Sequence, residues 1–307
     1  MPTFKANFFN FLLRHRHILN LRFKKEIITR DTSIPDLRKQ HEKTNRFITK
    51  PPQGMSVEAV TIGGRKAEWL KPEKAPAHQV IFYTHGGGYV SGSCNDHRSI
   101  VAKFAKSINI NTLQFDYRLA PEHPFPAAVE DSIETYQWLL NQGYLPKNIV
   151  FAGESAGGGL CLATLVALRD KDLPLPSAAV AISPWTDLTC GGASYLSNAE
   201  RCLSPLGSWQ VFGAYYAGES ERTHPWMSPL FADLNGLPPL YINAGGDEIL
   251  RDDSVQFINK AVESGIHIQS RIEPGMVHCY PLLAPLFKEA ALTMNEIRTF
   301  IHHYLPA

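Results

Sequence analysis

The sequence predicts an α/β chain, a mostly parallel, eight-stranded sheet with helices on both faces, and three observations predict it. β-prone runs near 79–84, 110–116, 148–152, 178–182, 239–244 and 267–272 alternate with helical segments near 95–107, 126–142, 155–170, 251–264 and 283–304. Such alternation implies right-handed crossovers between parallel strands, with helices covering both faces. Gly63-Gly64 separates the β-prone residues 57–62 from 67–70, a hairpin signal that opens the sheet in antiparallel fashion. The third observation is a glycine-flanked serine, Gly153-Glu154-Ser155-Ala156-Gly157, set between a strand and a helix. A length of 307 residues suits a single core of this kind.

Ahead of the hairpin, residues 1–50 read as helical. Phe8, Phe9, Phe11, Leu12, Leu13, Ile18, Leu19 and Leu21 interleave with Arg14, Arg16, Arg22, Lys24 and Lys25. Arg14 interrupts the apolar run and no small-residue cleavage site follows, which argues against a signal peptide. Basic residues beside aromatic ones suit a membrane surface. The preferred expectation is that this helix packs with a second, from about 34 to 48, over the working face of a domain spanning 51–307. One segment breaks the alternation. Residues 186–230 contain Trp209, Phe212, Tyr215, Tyr216 and Trp226, too aromatic for a solvated loop. Long ordered insertions usually line sites, so 186–230 is expected to complete a cap with residues 1–50.

The serine pentapeptide carries the chemistry. A Gly-x-Ser-x-Gly turn from a strand into a helix is a nucleophile elbow, with the serine strained at the top of the sheet and the glycines allowing close passage. The helix N-terminus behind it favours developing negative charge. Upstream, the strand 80–84 runs into His85-Gly86-Gly87-Gly88. Glycine amides there, with the N–H of Ala156, are aimed without side chains in the way and suit an oxyanion hole. A phosphate-binding turn is disfavoured, since neither a Walker lysine nor Gly-x-Gly-x-x-Gly is present.

An acid and a histidine are expected downstream, beyond the carboxyl ends of strands. Asp247 follows the strand 240–244, and His278 ends the loop after the strand 267–272. His278 would serve as general base, with Asp247 fixing its tautomer. Asp247 is preferred over Glu248 because it stands just past the strand, whereas Glu248, Asp252 and Asp253 fall towards a helix start, where acids commonly cap. Among other histidines, His15, His17 and His41 lie in the N-terminal segment and His302 and His303 on the last helix. His97 and His123 precede the serine, in the wrong order. Asp116, Arg118 and Glu122 are expected to form a buried ion-pair network bracing the oxyanion loop, and Glu154 to shape the site rather than carry protons.

These pieces together resemble the hormone-sensitive lipase family, the bacterial family IV esterases of the α/β-hydrolase superfamily. The resemblance rests on His85-Gly86-Gly87-Gly88, the Asp116-to-Glu122 run, Gly153-Glu154-Ser155-Ala156-Gly157-Gly158, Ser183-Pro184-Trp185 and the Asp247 and His278 segments. It implies an α/β-hydrolase fold with a helical cap, a catalytic triad of Ser155, Asp247 and His278, and oxyanion donors Gly87, Gly88 and Ala156. It also implies a preference for short acyl chains. Glu154 stands where relatives often have Asp, and Cys279-Tyr280 where many have an apolar residue and Phe.

The function expected is a serine carboxylesterase acting on short-chain acyl esters through an acyl-enzyme, without cofactor or metal. A lactone hydrolase or an amide or acetyl hydrolase would use the same residues, and a non-catalytic ligand receptor is the remote alternative. A formal net charge of +1 offers no reason to expect nucleic acid as a partner. Five scattered cysteines without Cys-x-x-Cys argue against a disulfide framework or zinc site and for a reducing, cytoplasmic compartment. No stretch reaches the length of a membrane span, so no stable membrane insertion is expected. The strand 267–272 should be a sheet edge through which a homodimer is conceivable.

Overall fold

The computed structural model describes residues 2–15, 26–45 and 51–306, with side chains in the second stretch described as far as residue 40. The expectations for Arg16, His17, Ile18, Leu19, Leu21, Arg22, Lys24, Lys25, the side chain of His41 and the helix end near 48 lie outside these residues. Two helices precede the sheet, α1 (Phe4–Arg14) and α2 (Ile34–Asn45). Strands β1 (Met55–Ile62) and β2 (Arg65–Pro72) form the expected hairpin, with Ile62 paired to Arg65. Gly63 and Gly64 turn it at φ of 54° and 76°, a left-handed pair that side chains resist.

β3 (Val80–Thr84), α3 (Cys94–Ile108), β4 (Asn111–Phe115), α4 (Ala127–Asn141), β5 (Ile149–Glu154), α5 (Ala156–Asp170) and β6 (Ala178–Ile182) follow. After the insertion come β7 (Leu240–Gly245), α8 (Arg251–Glu263), β8 (Ile268–Glu273) and α9 (Lys288–Tyr304). The eight strands lie in the order β1-β2-β4-β3-β5-β6-β7-β8. β1–β2 and β2–β4 are antiparallel and all later pairs parallel. β8 is the far edge, as expected. β3 to β7 are buried throughout, which is why β3 and β6 read as nearly continuous apolar runs, while β4 buries Asn111, Thr112 and Gln114 among its apolar residues. Side chains alternate into two cores. Phe82 and Phe151 face α4 and α5, while Tyr83 and Val150 face α3 and α9.

α9 starts at Lys288, later than the sequence suggests, because Pro285 disfavours helical backbone in the residue before it and Ala284 is extended at ψ 141°. The insertion holds a short helix α6 (Ser194–Ser197) and α7 (Ser208–Ala217). It joins the N-terminal segment through Ile28 N–H to Leu206 O at 2.8 Å and Tyr215 Oη–H to Arg30 O at 2.8 Å. α1 lays Ala6, Phe9 and Leu13 on Met276, Val277 and Tyr280, leaving Phe4, Phe8 and Phe11 exposed. Among the described residues no helix is long and apolar enough to cross a membrane.

Phe82 is fully buried, with its ring centroid 4.5 Å from Phe151 and 5.1 Å from Phe115. Phe82→Ala should lower unfolding free energy by about 3–5 kcal/mol in urea titrations. A loss below about 1 kcal/mol would contradict this packing.

Candidate active site

Ser155 sits in the single residue between β5 and α5, at φ 58° and ψ −125°. The neighbouring glycines make that turn feasible. A Cβ on Gly153 would meet Gly157 O and Thr84 Oγ1 at 2.4 Å, and one on Gly157 would meet Thr84 O at 2.1 Å. Ser155 N–H donates to Ile182 O at 2.9 Å, so the turn is pinned to the neighbouring strand.

His278 Nε2 lies 2.9 Å from Ser155 Oγ. The histidine loop is fixed from three sides. Cys279 N–H donates to Ser183 Oγ at 3.0 Å, Asp247 N–H donates to Met276 O at 3.1 Å, and Asn10 Nδ2 donates to Gly275 O at 2.9 Å.

At the acid the structure departs from expectation. His278 Nδ1 is hydrogen-bonded to Glu248 Oε2, not to Asp247. Glu248 is fully buried, and its Oε1 accepts Gly245 N–H at 2.9 Å. Asp247 instead pairs with Arg14 of α1 at 2.6 Å, both side chains being partly exposed. The assignment of the acid to Asp247 is therefore corrected to Glu248. Two physical reasons account for it. α8 begins only at Arg251, so Glu248 lies in the turn and not in a helix cap. The extra methylene then lets its carboxylate fold back under the histidine, while Arg14, remote in sequence, claims the nearer acid.

Burial disfavours an imidazolium at His278, but Cys279 and Glu248 outweigh it and hold its pKa well above the ordinary value. Burial pushes the Cys279 thiol up in turn.

Gly86 N–H is taken by Glu154 Oε1 at 2.6 Å, so the amides that follow in the loop are those of Gly87 and Gly88. Ala156 N–H opens α5, where helix amides lack intrahelical acceptors. A cavity of about 1240 Å³ lies over Ser155 and His278, with Gly87 and Gly88 in its wall. The N-terminal segment lends it Leu13 and Leu37, and the insertion lends Leu203, Trp209 and Phe212. A Cβ on Gly88 would stand 2.5 Å from the Phe212 ring, so that ring is packed hard against the loop.

The expected bracing network is divided. Asp116 Oδ1 accepts Cys94 N–H at 2.6 Å, Arg118 pairs with the buried Asp131 at 2.7 Å, and Glu122 pairs with Arg38 of α2 at 2.8 Å. Tyr117 completes the brace by donating Oη–H to His85 O at 2.8 Å. Among the described residues no group of His, Cys, Asp and Glu is placed to hold a metal ion.

Residues 81–282 match the family model described as an alpha/beta hydrolase fold. The chain is 39% identical over 246 residues to an acetyl-hydrolase of Streptomyces hygroscopicus, covering 80% of this chain and 82% of that one. It superposes with TM-score 0.88 on a crystal structure of EstE5 soaked with p-nitrophenyl butyrate, at 38% identity, covering 98% of this chain and 99% of that one. An esterase from the bacterial hormone-sensitive lipase family gives TM-score 0.88 at 35% identity, with both chains fully covered.

The electrostatics can be read directly from the His278 ring by NMR titration. Its midpoint should lie above the unperturbed value of about 6.5. Glu248→Gln removes the anion that stabilises the imidazolium and should lower the midpoint, while Asp247→Asn should leave it nearly in place. The reverse pattern would return the acid to Asp247.

Proposed function

The chain belongs to the α/β-hydrolase family, in its hormone-sensitive-lipase-like branch, and from that premise we propose a serine carboxylesterase that hydrolyses short-chain acyl esters. The observation that carries the reading is the hydrogen-bonded series Ser155–His278–Glu248 at the floor of a cavity walled by Gly87 and Gly88.

Ser155 Oγ attacks the ester carbonyl carbon as His278 Nε2 takes its proton. The carbonyl oxygen becomes an oxyanion and accepts hydrogen bonds from the amides of Gly87, Gly88 and Ala156. Collapse expels the alcohol, which leaves with the proton from His278, and the acyl group stays on Ser155. Water, deprotonated by His278, attacks the acyl-enzyme. A second collapse returns the proton to Ser155 and releases the carboxylic acid. Glu248 holds the proton of Nδ1 in place, keeps Nε2 free to accept, and offsets the imidazolium charge in both steps.

The short-chain preference follows from the aromatic wall. Phe212 and Trp209, from α7, line the cavity that holds Ser155, with the Trp209 ring centroid 5.9 Å from that of His278. The described part of the N-terminal segment, through Leu13 and Leu37, and the 186–230 insertion act together as the cap. Each methylene of the acyl chain adds about 0.8 kcal/mol of binding only while room remains. EstE5, soaked with a butyryl ester, is a relative of matching shape.

Ser155→Ala should keep the fold and lower turnover of p-nitrophenyl butyrate by at least about 10³-fold. A residual rate within about tenfold of the parent would reject the nucleophile. Only neutral His278 can accept the serine proton, so activity should rise with pH through a midpoint on the alkaline side of about 6.5. Rates across p-nitrophenyl esters should climb to about butyryl or hexanoyl and then fall. Phe212→Ala should move that optimum to longer chains, and an unmoved optimum would show that the wall lies elsewhere.

A further inference from the structure

Glu154, one residue before the nucleophile, is buried and meets His97 as well as the oxyanion loop. Its Oε1 accepts Gly86 N–H at 2.6 Å and faces His97 Nε2 at 3.2 Å. The other ring nitrogen of His97, Nδ1, lies 3.3 Å from the carbonyl oxygen of Ser93. A carbonyl oxygen and a carboxylate oxygen both only accept hydrogen bonds. A neutral imidazole has one N–H and serves one of them, whereas an imidazolium serves both.

We propose that His97 is a positioning residue that works in its charged form, pairing with Glu154 so that this carboxylate holds the Gly86 end of the oxyanion loop without placing an uncompensated negative charge beside Ser155. An unpaired carboxylate there would oppose the oxyanion that develops in each collapse step, and the adjacent imidazolium cancels it. The inference rests on the esterase reading and adds to it a second histidine with the opposite proton requirement to His278.

The groups around His97 are accounted for. On its own helix α3 lies Asp96, from the end of β5 comes Glu154, and from the loop after β3 comes His85, whose ring stacks at 5.0 Å. Behind His85 are Tyr117, at 4.3 Å between rings, and Asp116; beside Glu154 are Tyr83 and Cys279. Burial pulls His97 down, but the Glu154 hydrogen bond and charge, helped by Asp96, raise it above the ordinary value. Burial, and then the charge on His97, push His85 down to about 4, so His85 is neutral. Burial raises Glu154, yet the His97 contacts and Gly86 N–H bring it below the usual carboxylate value. The cluster thus holds the cation His97 against the anion Glu154.

At alkaline pH, once His278 is neutral, further loss of the His97 cation makes turnover fall. Activity requires neutral His278 and charged His97 together, which gives a bell-shaped profile whose two apparent values belong to the pair. The test measures kcat/KM for p-nitrophenyl butyrate from about pH 5 to about pH 10 in the parent and in His97→Gln. Glutamine keeps a donor for Glu154 but cannot ionise. His97→Gln should therefore lose the alkaline fall and show a single rise, with a plateau about tenfold lower, less than the loss of a direct oxyanion donor. Adding Glu154→Gln removes the unpaired charge and should restore part of that plateau. A titration of the His97 ring by NMR in the full chain gives a readout independent of turnover and of the variant's folding. Its midpoint should lie above about 6.5. An alkaline fall that persists unchanged in His97→Gln, or a His97 ring already neutral below about 6.5, would overturn the proposal. Failure of the esterase reading looks different, since the parent would then show no Ser155-dependent turnover at any pH.

Discussion

The backbone of Ser155 is the constraint on which the rest of the molecule depends. A side chain at φ 58° and ψ −125° costs of order 1–3 kcal/mol and persists only where the surroundings over-determine it. Here they do. Ser155 N–H is held by Ile182 O, and its carbonyl accepts from both Trp185 and Gly159 at 3.0 Å. The two flanking glycines let β5, α5 and the loop after β3 approach closer than any Cβ would permit. That approach brings the glycine loop 86–88 to the N-terminus of α5, so the strained turn and the glycine loop depend on each other.

Around that turn the protein arranges carboxylates by burial. Glu248 and Glu154 are buried, and each is matched by an imidazole, His278 and His97. Removing one partner from such a pair leaves a buried charge, which is far costlier than the pair itself is stabilising. The third pair, Arg14 with Asp247, is partly exposed and so worth little in stability. Its position gives it another role, since it ties α1 to the turn that carries Glu248. Together with Asn10 on Gly275 O, it couples the N-terminal segment to the acid and histidine loops.

Most of the fold was legible because hydrophobic runs and glycine punctuation act locally. The hairpin at Gly63-Gly64, the alternation of strands and helices, and the edge position of β8 all follow from short-range pattern. Ser155 and His278 were legible for the same reason, one from its pentapeptide and one from chain order. The acid was not. Asp247 and Glu248 are adjacent and chemically alike, and what separates them is the pull of Arg14, 233 residues away, and the turn geometry before α8. His97 was passed over because chain order excludes it as the base, and order is silent on positioning. Its one sequence signal was Glu154 itself, an acid beside a nucleophile that needs a cation to be buried.

The central claim is that Ser155 forms the acyl bond while the amides of Gly87, Gly88 and Ala156 receive the oxyanion and His278 stays anchored on Glu248. A crystal structure after reaction with a short alkyl phosphonate tests it most directly, because the adduct mimics the tetrahedral intermediate. The account predicts a phosphorus–oxygen bond to Ser155, a phosphoryl oxygen about 2.7–3.1 Å from those three amide nitrogens, and His278 Nδ1 still on Glu248. Modification of another residue, or a phosphoryl oxygen turned away from those amides, would contradict it.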